Sequence, residues 1–231
     1  MPEPLLLVPG LACTADLWAP QIAAFSGRYD CRVADHRNGA SMTEIAANIL
    51  VNAPPQFALC GLSMGGYLSF EIMRQAPQRV RKLALLDTQA TPEGEAQRAN
   101  RYARMEAART GGMSELADLQ WKQLVHPMRY DDAKLKDDAR RMALDTGTDV
   151  YLRHCAAIME RPDSRPGLSN IKVPTLVLTG DKDQLTPPEK AREMAEGIVG
   201  ATLVIVPDCG HMSTLERPEA VNEALVAWLA R

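Results

Sequence analysis

Ser63 lies at the centre of Gly61-Leu62-Ser63-Met64-Gly65-Gly66, between the short apolar run Phe57-Ala58-Leu59-Cys60 and a helical stretch from Tyr67 to Gln75 that Pro77 ends. A strand that passes into a helix through Gly-x-Ser-x-Gly needs a turn so tight that only hydrogen side chains fit at its flanks. Such a turn strains the backbone of its central residue and lifts the hydroxyl above the sheet. Gly66 is expected to let the following helix pack close to its strand. A dinucleotide loop is excluded, because Ser63 stands where Gly-x-Gly-x-x-Gly needs a glycine for close approach of the pyrophosphate. The Gly-Lys-Ser/Thr of a phosphate-cradling loop is also missing.

A serine hydroxyl is a weak nucleophile until a base takes its proton, and the base needs a third group to fix its tautomer. At this kind of turn the partners follow in chain order as an acid and then a histidine, each on a loop after a parallel strand. Thr175-Leu176-Val177-Leu178-Thr179 reads as a strand entering Gly180-Asp181-Lys182-Asp183. Thr202-Leu203-Val204-Ile205-Val206 reads as the next, entering Pro207-Asp208-Cys209-Gly210-His211. Both loops leave carboxyl ends of strands, where open α/β sheets place their sites. Three carboxylates compete for the acid role: Asp183, Asp181, and Asp87 at the end of the apolar run Leu83-Ala84-Leu85-Leu86.

On these residues the chain resembles the α/β-hydrolase family along nearly its whole length. The match of Gly180-x-x-Asp183 and Gly210-His211 to that family's acid and base loops implies His211 as general base and Asp183 as its orienting carboxylate. His36, in a short polar loop, and His154, within a helical stretch, read as ordinary surface or interior histidines. The family's oxyanion hole implies two backbone donors. One is Met64, which follows the nucleophile. The other is Leu11, in the loop Pro9-Gly10-Leu11-Ala12-Cys13 after the strand Leu5-Leu6-Leu7-Val8. Family members commonly carry His-Gly where this chain has Pro9-Gly10; a backbone donor survives that change.

Strands near 5–8, 31–34, 57–60, 83–87, 175–179 and 202–206 alternate with helices, which points to an α/β class with a mostly parallel sheet covered on both faces. Val221, Leu225, Trp228 and Leu229 mark one face of a closing helix begun at Pro218. The resemblance implies a sheet of about six strands that lacks the family's first antiparallel pair. It also implies a division into a core (1–90 and 171–231) and an inserted helical lid (91–170). Three apolar stripes fall in the insertion: Met113/Leu116/Ala117/Trp121/Leu124/Val125, Leu135/Ala139/Met142/Ala143 and Leu152/Cys155/Ala156/Met159. Gly111-Gly112 is expected to break its first helix. Trp121, and His126 in the segment covering the site, are the candidate substrate contacts.

Charge and composition narrow the partners. The net charge of −3 provides no broad face for nucleic acid, and no run of 18 apolar residues offers a membrane span. Five scattered cysteines (13, 31, 60, 155, 209) form no disulfide framework, and the opening Met1-Pro2-Glu3-Pro4 lacks the basic stretch of a secretory leader. Both point to a cytoplasmic protein. Histidine spacing offers no metal site, and no cofactor is called for. Residues 93–170 carry 13 basic and 13 acidic side chains. This balance gives no field for a strongly anionic substrate, although one buried arginine can bind a carboxylate. Met105, Met113, Met128, Met142 and Met159 suggest an adaptable apolar pocket. The expected activity is hydrolysis of a small carboxylic ester with a moderately apolar acyl group. Carbon–carbon bond hydrolysis or elimination on the same triad, and slow-turnover ligand sensing, are the alternatives.

Overall fold

The computed structural model describes residues 2–231. β1 (Glu3–Val8), β2 (Tyr29–Val33), β3 (Phe57–Leu62), β4 (Val80–Leu86), β5 (Thr175–Gly180) and β6 (Thr202–Val206) form one sheet in the order β2-β1-β3-β4-β5-β6. Every pairing is parallel. Helices α1 (Ala19–Phe25), α2 (Met42–Asn52), α3 (Met64–Gln75), α7 (Pro188–Gly197) and α9 (Pro218–Leu229) connect or cover the strands, and α8 (Ser213–Glu216) is a single turn.

Because strand side chains alternate, each strand serves two cores. Leu6, Val8, Leu59, Leu83, Leu85 and Val177 join Ile45 and Ile49 of α2, Leu68 and Ile72 of α3, and Met194 of α7 on one face. Leu5, Leu7, Ala58, Cys60, Ala84, Leu86, Leu176 and Leu178 meet Phe25 of α1 and Val221, Leu225, Trp228 and Leu229 of α9 on the other. Burial on both sides explains why these strands read as continuous apolar runs.

The strand pattern stops between β4 and β5, where α4 (Glu95–Leu124), α5 (Ala133–Thr146) and α6 (Thr148–Met159) intervene. α4 is two helices joined at Gly112, whose φ of 73° only glycine adopts freely. In the apolar stripe of its second half Met113, Leu116, Ala117, Trp121 and Val125 are buried, and Leu124 is half-buried. In α6 the buried residues run Tyr151, His154, Cys155, Ala157 and Ile158, leaving the expected Ala156 exposed.

All six strands point the same way, so the loops after β1, β3, β4, β5 and β6 share one edge. β1 lies between β2 and β3, so the chain changes direction across the sheet there. That reversal opens a crevice at the carboxyl edge.

Candidate active site

Ser63 follows the last residue of β3 with φ 56° and ψ −115°, a combination rarely adopted by a residue with a Cβ. The turn is over-determined by its surroundings. Ser63 N donates to Leu86 O at 2.9 Å, and Thr88 Oγ1 donates to Ser63 O at 2.8 Å. A Cβ at Gly65 would run into the Val8 carbonyl, and one at Gly61 into the Gly65 carbonyl. Gly66 differs from the expectation: the group its missing Cβ admits is Thr88, beyond β4, so it spaces α3 from the neighbouring strand's loop.

The loops after β5 and β6 bring Asp183 and His211 to this hydroxyl. His211 Nε2 lies 2.9 Å from Ser63 Oγ, and His211 Nδ1 lies 2.8 Å from Asp183 Oδ2. A carboxylate only accepts, so Nδ1 carries the ring proton and Nε2 is left to accept from the serine. Asp183 is itself fixed. Its Oδ1 accepts from Leu185 N at 2.8 Å and Thr186 N at 2.9 Å, and its Oδ2 accepts from Thr186 Oγ1 at 2.7 Å. Asp181 instead accepts from Cys209 N at 3.1 Å, which ties the two loops together. Asp87 accepts from Gly180 N at 3.2 Å and from the Ser213 hydroxyl beneath the site. Of the three competing carboxylates, only Asp183 bonds to the imidazole among the described residues.

Electrostatics prepare the imidazole. Burial pushes the His211 pKa down, but the charge and hydrogen bond of Asp183, with Asp87 and Glu216 behind, outweigh it and hold the pKa above the ordinary 6.5. Burial, reinforced by the charge of Asp183, pushes Asp87 well up. Met64 N–H is among the first amides of α3, which have no partner within a helix and face the positive end of its dipole. Leu11 lines the same cavity as Ser63. Its loop sits tight on the nucleophile, since a Cβ at Gly10 would lie 3.4 Å from that of Ser63. His36 buttresses the loop: its Nε2 lies 3.2 Å from Gly10 O, its ring stacks on His154 at 4.9 Å, and His154 Nε2 reaches its backbone carbonyl at 2.9 Å. Both histidines are buried and bonded away from Ser63.

Glu216 carries a positioning role that the sequence does not advertise. Its Oε1 accepts from Gly210 N and Met212 N on either side of His211, at 3.0 and 3.2 Å. Its Oε2 accepts from His126 N at 2.7 Å. His211 N donates to Leu124 O at 2.9 Å, so the end of α4 is clamped to the imidazole loop. Nothing in the spacing of an acid five residues past a histidine foretells this clamp.

A cavity of about 390 Å³ opens over Ser63 and His211. Neither expected substrate contact lines it. Trp121 is buried in the second apolar core, its Nε1–H donating to Tyr130 O at 2.9 Å. His126 passes behind Gly210, and its Nδ1 accepts from Met128 N at 3.1 Å. The apolar character expected of the cavity holds for part of its lining, where Leu11, Leu17, Leu62, Leu124, Met142 and Ile158 lie, but one wall is polar. Among the five methionines of the insertion only Met142 lines it. The lining supplied from 89 to 123 is dominated by Gln89, Glu93, Gln97, Asn100, Arg101 and Arg104. Before the kink at Gly112, α4 turns a polar stripe at 97, 100, 101 and 104 to the cavity; beyond it, Ala117 and Leu124 of the apolar stripe reach the same space. That i, i+3, i+4, i+7 spacing was the available signal.

Among the described residues no three His, Cys, Asp or Glu side chains are grouped to hold a metal ion, and no helix is long and apolar enough to cross a membrane.

The alpha/beta hydrolase family matches residues 5–224. The chain belongs to it. 3-Oxoadipate enol-lactonase 2 of Acinetobacter baylyi is 27% identical over 240 residues, covering 98% of this chain and 88% of that protein. Pimeloyl-[acyl-carrier protein] methyl ester esterase of Nitrosomonas europaea is 28% identical over 235 residues, covering 93% and 91%. Among solved structures, a thermophilic esterase from Thermogutta terrifontis superposes with a TM-score of 0.89 at 28% identity, covering 99% of this chain and 89% of that one. This α/β hydrolase is therefore similar to hydrolases of several substrates and has a hydrolase's architecture.

Proposed function

We propose that this chain hydrolyses a small carboxylic ester, open or cyclic, through an acyl-enzyme on Ser63. The observation that carries the proposal is the continuous relay from Asp183 Oδ2 to His211 Nδ1 at 2.8 Å and from His211 Nε2 to Ser63 Oγ at 2.9 Å. In the proposed reaction Ser63 Oγ attacks the ester carbonyl while its proton passes to His211 Nε2. Asp183 stabilises the imidazolium. The Leu11 and Met64 amides donate to the oxyanion that forms. Collapse expels the alcohol, which leaves with the proton from His211. Water then attacks the acyl-serine with His211 again as base, and the acid departs. The lactonase and esterase named above both act on bonds of this class by their names, which supports the reading. The inserted helices α4–α6, as a lid, would exclude bulk water and shape the acyl and alcohol subsites.

The test is a series of p-nitrophenyl esters from acetate to decanoate, with wild type and Ser63→Ala. The expected outcome is a loss of about 10⁴ to 10⁶ in kcat for the variant. Equal activity in the two proteins would assign the chemistry to another residue. Ester turnover that is feeble beside fast consumption of a vinylogous diketone would move the reaction to a carbon–carbon bond. A stable adduct with negligible turnover of either would indicate a sensor.

A further inference from the structure

The polar half of the cavity holds an imbalance of charge. Glu93 accepts from Arg101 Nε and Nη2 at 2.5 and 2.6 Å, and it also faces Arg161 Nη1 at 3.4 Å. Arg161 is otherwise held by the carbonyls of Thr91 and Ile158, with its guanidinium over the Tyr67 ring at 4.2 Å. One carboxylate thus serves two guanidinium groups. Arg104, one turn along α4 from Arg101, lines the cavity, and its only side-chain partner among the described residues is the neutral Gln123. Its pKa is lowered chiefly by burial, with the charge of Arg101 adding to it, against a weaker opposing pull from Tyr151, Cys155 and Glu93. Gln89, also in the lining, is 2% exposed, and its Oε1 has no partner among the described residues. Asn100 and Gln120 add further carboxamides to the same wall.

Arg101 and Arg104 line the cavity against a single carboxylate, Glu93, which Arg161 behind also draws on, so the cavity has an excess of positive charge that suits a negative group. A guanidinium presents a planar fork that fits a carboxylate with two parallel hydrogen bonds. We propose that the substrate is an acidic ester, carrying a free carboxylate besides the scissile bond, and that Arg104 is the specificity-determining residue that binds it. The carboxamides of Asn100 and Gln120, on the same wall, offer N–H donors to the same group. The inference rests on the ester-hydrolase reading of this cavity and narrows its substrate class to hemi-esters of small dicarboxylic acids and related lactone acids.

The experiment compares the monomethyl esters of succinate, glutarate and adipate with methyl butyrate, pentanoate and hexanoate, using wild type, Arg104→Gln and Arg104→Lys. The readout is the ratio of kcat/KM between each acidic ester and its neutral counterpart. Wild type is expected to prefer the acidic ester by about 10- to 100-fold at the best chain length, the range of a charge-assisted hydrogen bond. Arg104→Gln should bring the ratio near one, and Arg104→Lys should keep part of it, having charge without the fork. A latch between the two halves of α4 through Gln123, with no role in recognition, would depress both esters together and leave the ratio unmoved. Binding of glutarate, measured by calorimetry on Ser63→Ala and on Ser63→Ala/Arg104→Gln, supplies a readout that needs no turnover. A wild-type ratio near one with no glutarate binding overturns the proposal and leaves ester hydrolysis standing. Glutarate binding that depends on Arg104, without turnover of any ester, overturns the ester reading and keeps the carboxylate site.

Discussion

At the sheet edge, Ser63, Asp183 and His211 are positioned largely by backbone; across the cavity, Arg101 and Arg104 are positioned by other side chains. Ser63 owes its place to a strained turn wedged against Val8 and Leu86, and Asp183 to two amides of its own loop. Arg101 is aimed by Glu93, and Arg104 by nothing firmer than Gln123. Backbone placement allows no adjustment, as reacting atoms require, and it leaves a mark on the sequence as glycines and fixed spacings. Side-chain placement on a helix face permits one scaffold to exchange substrates by exchanging residues. On the proposed reading the two walls of this cavity divide the work, with reaction chemistry on one and selection on the other.

The largest effect that would break this division is at Asp183. Asp183→Asn should lower kcat by about 10⁴, as loss of the orienting carboxylate does in other triads, with little change in KM. The same variant sharpens the pH argument. His211 must be neutral to accept the serine proton, and its pKa lies above the ordinary 6.5 chiefly through the charge of Asp183 opposing burial. Wild-type kcat/KM should rise with pH through a midpoint above 6.5. Removing the charge should move that midpoint down, and an unmoved midpoint would assign the titration to another group.

On the other wall, Glu93→Gln leaves two buried guanidinium groups without their anion and should cost about 3 kcal/mol of stability, read from denaturant midpoints. Burial raises the Glu93 pKa, but the hydrogen bonds and charges of Arg101 and Arg161 outweigh it and hold it below the ordinary 4.5. A group depressed in the folded state contributes stability above its unfolded pKa and loses it as pH falls through the folded value. The wild type should therefore shed this stability below about pH 4.5, and Glu93→Gln should lack that part of the acid limb. The smallest effect belongs to Arg104, whose loss should shift substrate preference within the 10- to 100-fold range, without the collapse expected at Asp183.

The same division explains what was legible in the sequence. All six strands were: the inner four because burial on both faces writes each as a largely apolar run, and the less buried edge strands β2 and β6 from their place in the strand–helix alternation. The three hydrogen-bonded residues were, because their loops leave strand ends at recognisable turns. The choice among Asp87, Asp181 and Asp183 could be narrowed but needed the loops' hydrogen bonds to be made. Trp121 and His126 misled. A stripe of apolar residues identifies a buried face but not the surface each member meets: Trp121 faces Tyr130 and the core, while Ala117 and Leu124 of the same stripe line the cavity. Equal numbers of acids and bases in the insertion concealed a local excess of arginine, because Glu93 alone of those acids lines the cavity, whereas Asp118 and Asp138 pair on the outer surface. The clamp by Glu216 lies beyond pattern altogether, since it joins segments ninety residues apart.

The claim on which the rest depends is that His211 makes the Ser63 hydroxyl nucleophilic. Treatment with a fluorophosphonate, followed by intact mass and peptide mapping, tests it without any assumption about substrate. The account predicts one adduct per chain, on the peptide bearing Ser63, at a rate that rises as His211 loses its proton and drops by orders of magnitude in His211→Ala. Adduct on another residue, or labelling of Ser63 at an undiminished rate in His211→Ala, would contradict it.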